Sequence, residues 1–87
     1  MGKIDILAEL RADNPKARTV DLQVFADALT VYSEAAKNVR EHGAIVTHPR
    51  TGAPIENPYL KIQTAKGAAL VKMNRIKSDR LMGLLGV

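Results

Sequence analysis

Between Val20 and His42 the apolar residues return every three or four positions. Val24, Phe25, Ala28, Leu29, Val31, Tyr32, Ala35, Ala36 and Val39 fall within one arc of a helical projection. Asp27, Ser33, Glu34, Lys37, Arg40 and Glu41 occupy the remainder. This pattern predicts a long amphipathic helix, about 34 Å from end to end at a rise of about 1.5 Å per residue. Thr19 is placed to cap its start, and Gly43 to end it in a left-handed conformation. Upstream, Ile4, Leu7 and Leu10 give one face of a shorter helix running to about Ala12. Asp13-Asn14-Pro15 ends it, because the residue before a proline is pushed out of the helical region. Lys16-Ala17-Arg18 is then a short basic connection.

Downstream the period changes. Two β-prone pieces between Ile45 and Glu56 flank Pro49-Arg50-Thr51-Gly52, in which Pro49 fixes φ and Gly52 can take a positive φ. A small hairpin is expected, and an isolated hairpin of this size must lean on something else. Asn57-Pro58 then opens a helix: Asn57 can accept from its first free N–H groups, and Pro58 suits the first helical position. That helix is expected to run to about Arg75. Tyr59, Ile62, Ala69, Leu70, Met73 and Ile76 form its apolar stripe, while Lys61, Ala65, Ala68, Lys72 and Arg75 lie opposite. Lys66 falls inside the apolar arc, and Gly67 weakens the helix locally. Ser78 is a fresh N-cap for a short terminal helix carrying Leu81, Met82, Leu84, Leu85 and Val87. The expected fold is all-α: two long antiparallel helices joined by a β-hairpin-like loop, with short N- and C-terminal helices, in one domain spanning 1–87.

Charge divides this chain unevenly. Residues 1–44 hold six Lys/Arg against seven Asp/Glu, whereas residues 45–87 hold seven against two. A near-neutral half is joined to a basic half, which points toward a polyanionic partner. Lys61, Lys72 and Arg75 share one predicted helix face, with Lys77 and Arg80 beyond it. Such a face can hold phosphates, although a solvated helix surface is the plainer reading of the same residues. The long apolar stripe exceeds what so small a chain can cover alone, so self-association is expected. Val24, Ala28, Val31 and Ala35 lie toward one edge of the stripe, and the apolar C-terminus offers Leu81, Leu84 and Leu85. Those seven are the candidate interface residues, with burial in the chain's own core as the alternative.

Other chemistry finds little support. Cysteine is absent, which suits an intracellular compartment and excludes disulfides and thiolate metal sites. Asp5 and Glu9 interrupt the N-terminal apolar positions, and no run is long and apolar enough to span a bilayer, so neither a signal peptide nor a membrane is expected. His42 and His48 lack further ligands at a suitable spacing, so no metal is expected. The glycines form no phosphate loop. Asp27, Glu34 and Glu41 stand at heptad spacing, but a salt-bridged solvent face, with Lys37 four residues before Glu41, is the simpler account. No catalytic constellation or cofactor site emerges.

The order of these features resembles the small subunit of bacteriophage terminases. The matching pieces are Leu10-Arg11 before Asn14-Pro15-Lys16-Ala17-Arg18, then a long helix ending in Glu41-His42-Gly43. Ile45-Val46-Thr47 and a glycine-containing turn follow, then Asn57-Pro58 opening a helix with Ile62 and Ala65, and last Ser78-Asp79-Arg80-Leu81. The likeness covers nearly the whole chain and rests on order and spacing. Met73-Asn74-Arg75-Ile76-Lys77 stands where the family has a leucine-glycine-x-threonine-proline type linker. The resemblance implies a non-enzymatic, ring-forming homo-oligomer in the host-cell cytoplasm. It would bind double-stranded viral DNA where packaging starts and pass it to the large subunit, which carries the ATPase and nuclease. Lys61, Lys72 and Arg75, then Lys77, Arg80, Lys16 and Arg18, are the expected DNA contacts. A small dimeric DNA-binding regulator and a helical adaptor that binds protein through its apolar C-terminus are the alternatives.

Overall fold

The computed structural model describes residues 4–86. Val87, counted above among the apolar C-terminal positions, lies outside them. The order of elements is α1 (Ile6–Asp13), α2 (Thr19–His42), β1 (Ile45–Thr47), β2 (Pro54–Glu56), α3 (Pro58–Lys72) and α4 (Asp79–Leu85). The protein is thus mostly helical with one small antiparallel sheet. Among the described residues no helix is long and apolar enough to cross a membrane.

Local chemistry explains each boundary. α1 starts two residues later than its apolar positions suggest, because Asp5 takes the cap and its Oδ1 accepts from the Ala8 N–H at 3.1 Å. In α2 the cap position belongs to Arg18, in extended backbone, and not to Thr19. The Thr19 hydroxyl instead accepts from the Arg11 guanidinium at 2.8 Å. Gly43 has the expected positive φ of 85°, but its ψ of 173° is extended, so the chain leaves α2 directly into β1. α3 begins as the Asn57-Pro58 pair predicts, with Asn57 Oδ1 accepting from the Tyr59 N–H at 3.0 Å. It ends at Lys72, with Met73 in the cap position, so Arg75 lies in the following turn and not on the helix. Ser78 occupies the cap position of α4, yet its side chain makes no capping hydrogen bond.

The hairpin pairs Ile45 with Glu56, Val46 with Ile55 and Thr47 with Pro54. Hydrogen bonds from Asn57 N to Ala44 O (2.7 Å) and from His48 N to Ala53 O (2.8 Å) set the register. Pro54 therefore falls at an alternate position where the ladder needs no N–H. Gly52 takes φ 71° in the turn, and His48 Nδ1 accepts from the Arg50 and Thr51 N–H groups at 3.1 and 3.4 Å. His48 is a turn staple. Val46 and Ile55 are half-buried, while Ile45 is exposed.

α2 and α3 run antiparallel, as the contacts along them show: Gly43 meets Asn57, Tyr32 meets Gly67, and Phe25 and Leu70 share the core. Gly67 has a purpose here. A Cβ at this position would lie 3.2 Å from Tyr32 Cε2, so the ring packs against the bare backbone and would have to give by a few tenths of an ångström to admit a methyl group. Leu10, Leu22, Phe25, Ala26, Leu29, Leu70 and Leu81 form one buried cluster contributed by all four helices. The cluster sits toward the N-terminal half of α2, and the hairpin projects at the far end. The result is a slab with principal extents of 51 × 31 × 17 Å.

Candidate nucleic-acid interface

The buried side chain of Asn14 builds the site. Its Nδ2 donates to Leu10 O at 3.0 Å and to Lys77 O at 2.9 Å, while Oδ1 accepts from the Lys77 N–H at 2.8 Å. One amide thereby ends α1 and fastens the α3–α4 turn beside the α1–α2 connection. Arg11 stiffens that connection from within, donating from Nη1 to Ala17 O at 2.7 Å and from Nη2 to Thr19 Oγ1. Two basic segments far apart in sequence now line one groove, which carries Lys16, Arg18, Arg75 and Lys77 together with Asp13 and Asp21.

These cations are not equivalent. Arg18 is held by Asp21 through two hydrogen bonds, Nε to Oδ2 at 3.0 Å and Nη2 to Oδ1 at 3.2 Å. Arg80 bridges α4 to α1, with Nη2 2.6 Å from Glu9 Oε2 and Nε 3.1 Å from Asp13 Oδ2. Hydrogen bonds to Asp21 raise the pKa of Arg18, and hydrogen bonds to Glu9 and then Asp13 raise that of Arg80; both stay charged. Their charge is already matched, so the groove's surplus comes from the other cations. Lys16, Arg75 and Lys77 are exposed and have no acidic partner among the described residues. No side chain caps the first N–H groups of α2, where the helix dipole is positive, and Asp21 in that first turn, shared with Arg18, offsets part of it.

Lys61 and Lys72 lie elsewhere. Along with Ala65 and Ala68 they form an exposed stripe on α3, as their spacing predicts. The stripe does not continue to Arg75, which the turn after Lys72 carries into the groove. Lys61 stands about 16 Å up α3 from Lys72, and Arg75 leaves the helix for the groove, so one patch holding all the expected DNA contacts does not form.

The candidate oligomer residues divide as well. Val24, Val31 and Leu84 are exposed, at 53%, 38% and 53% of their full surface. Ala28 and Leu85 are half-buried and pack against the core. Ala35 and Leu81 need correction, because they are 1% and 0% exposed. Leu81 is the α4 residue that turns into the core cluster, and Ala35 shares a face with the partly buried Tyr32 and Val39 one turn away. Neither has surface left to offer a neighbour.

Asn14 was readable only as a helix stop, since nothing near it in sequence names Lys77 as its partner. Asn38 carries no signal either, yet its Oδ1 accepts from Asn57 Nδ2 at 3.0 Å and ties α2 to the start of α3. Comparisons with protein-family profiles, with curated proteins and with solved structures returned no match.

Proposed function

We propose that this protein is a DNA-binding, self-associating component of the terminase small-subunit kind. It would recognise double-stranded DNA at the start of genome packaging in the host-cell cytoplasm and hand it to a large subunit that does the chemistry. The observation that carries the DNA part is the groove itself. Lys16, Arg75 and Lys77 come from two separate segments, stand together without acidic partners and flank the open end of α2. Fixed cations at a helix N-terminus suit a phosphate backbone. Assembly would repeat the groove in every subunit and turn a few weak contacts into avid binding. The packaging role rests on the order of sequence features that the chain shares with terminase small subunits.

The adaptor reading keeps less support, because Leu81 is committed to the core and, among the described apolar residues of the C-terminus, only Leu84 is well exposed. A salt titration of duplex DNA binding, followed by fluorescence anisotropy, tests the groove. The slope of log K against log salt is about −0.9 per phosphate neutralised. The triple variant Lys16→Ala/Arg75→Ala/Lys77→Ala is expected to lose affinity and to shrink that slope by about 2 to 3. An unaltered slope would remove the groove from the DNA site.

A further inference from the structure

Two largely exposed helix faces carry opposite charge, and among the described residues Asn38 is the one position of either that is half-buried. On α2, Val20, Val24, Asp27, Val31, Glu34 and Glu41 follow one another at alternating four- and three-residue steps, the half-buried Asn38 completing the series before Glu41. Such spacing keeps a single straight seam along a helix. Its N-terminal half lies opposite Leu22 and Leu29, which face the core, and points away from the molecule, whereas Asn38 turns toward Asn57 at the start of α3. The whole seam holds three carboxylates, with Lys37 the cation beside it, 4.0 Å from Glu41. On α3, Lys61, Ala65, Ala68 and Lys72 repeat the same steps opposite Gly67 and Leu70, which face α2. This second seam has two positive ends and a centre of methyl groups.

We infer that the α3 seam of one copy docks on the α2 seam of the next, so that Lys61 and Lys72 are subunit-contact residues. Charge complementarity selects the occupant: a second copy presents the cationic seam that the acidic one lacks. The lengths agree. In the antiparallel sense that α2 and α3 already use, Lys61 and Lys72 are about 16 Å apart, and Glu41 and Asp27 about 21 Å. Setting Lys72 against Asp27 brings Ala68 opposite Val31 and Lys61 opposite Asn38, with Glu41 about 5 Å further on, within the reach of a lysine side chain. Alanines at the centre let the helix axes approach closely, and Val31 with Val24 loses exposed surface. The existing partners of these acids are weak: Asp27 accepts from Gln23 at 2.9 Å on the same exposed face, and among the described residues Glu41 has only Lys37, at 4.0 Å.

Because the two seams differ, the contact is heterologous. Each copy gives one seam and receives the other, which closes into a ring where the rotation allows. The assignment rests on the self-association in the function proposed above and needs no DNA. It also separates two roles, leaving the groove of Lys16, Arg75 and Lys77 for the polyanion.

Reversing the charges decides it, with mass read by light scattering after size-exclusion chromatography. The wild-type chain is expected at a multiple of its 9.5 kDa mass. Asp27→Lys/Glu41→Lys and Lys61→Glu/Lys72→Glu are each expected to fall to the single-chain mass. Mixing the two reversed chains restores complementary seams and is expected to restore the assembly. A wild-type chain that runs as a monomer overturns the inference, as does a reversed chain of unchanged mass or a mixture that stays dissociated. Circular dichroism checks that each variant keeps its helices. Should one unfold, the wild-type mass in rising salt decides instead: dissociation between about 50 mM and 1 M supports the seams, and a constant mass overturns them. Unchanged DNA binding in the groove variant with the assembly intact would fault the DNA reading alone.

Discussion

Asn14 and Asn57 each precede a proline and each is buried, yet the first closes a helix and the second opens one. Asn57 works over a short range. It caps α3 through the Tyr59 N–H and donates to Asn38 and to Gly43 O, partners within 19 residues. Asn14 donates back to Leu10 O and then reaches 63 residues ahead to both backbone groups of Lys77. The dipeptide is the same, and the difference lies in what surrounds it. Pro58 can enter the first turn because its missing N–H has no helical partner to lose. Pro15 follows a helix that has already run its course, and there the asparagine amide is left to satisfy distant backbone.

The largest effect is expected at the corner that does more at once. Asn57→Ala removes a cap and takes the partner from the part-buried hydrogen bonds to Gly43 O and Asn38 Oδ1. It should cost about 3 kcal/mol in urea unfolding. A loss below about 1 kcal/mol would mean that the corner is held by the hairpin and not by the amide. Asn14→Ala should cost about 2 kcal/mol, since the Lys77 N–H and carbonyl lose a partly buried acceptor and donor. It should also weaken DNA binding several-fold by releasing Arg75 and Lys77 from Lys16, whereas Asn57→Ala should leave DNA affinity unchanged. Equal DNA effects from both variants would erase the distinction between a folding corner and a site-building one. Arg80→Ala is expected to be the mildest. Its contacts with Glu9 and Asp13 are solvent-exposed, and its effect should fade as salt is added. A melting temperature that falls sharply and equally at low and high salt would contradict that.

Much of this was legible beforehand, for identifiable reasons. α2 could be read because its period persists for many turns, and the hairpin because Pro49 and Gly52 mark a turn between β-prone pieces. The Asn57-Pro58 start was legible because capping is a local act. The end of α3 was not, because Met73 and Asn74 stop the helix with neither glycine nor proline to announce it. That one boundary moved Arg75 from a helix face into a groove. Three leucines on so short a helix as α4 do not say which of them turns inward, and the core selected Leu81 while leaving Leu84 outside. Arg18 was taken as an open cation although Asp21, three residues on, could be read as its partner. The partners of Arg80 and Asn14 lie across the fold, where spacing gives no warning.

The slab has a hydrodynamic consequence. Its radius of gyration of 15.1 Å exceeds the roughly 12 Å of a compact chain of this length. A body three times longer than it is thick drags more solvent than a sphere of equal mass. A lone chain will therefore leave a sizing column early, at the volume of a globular protein appreciably heavier than itself. Elution position would turn one copy into an apparent pair, whereas scattered light, which weighs the particle, would not.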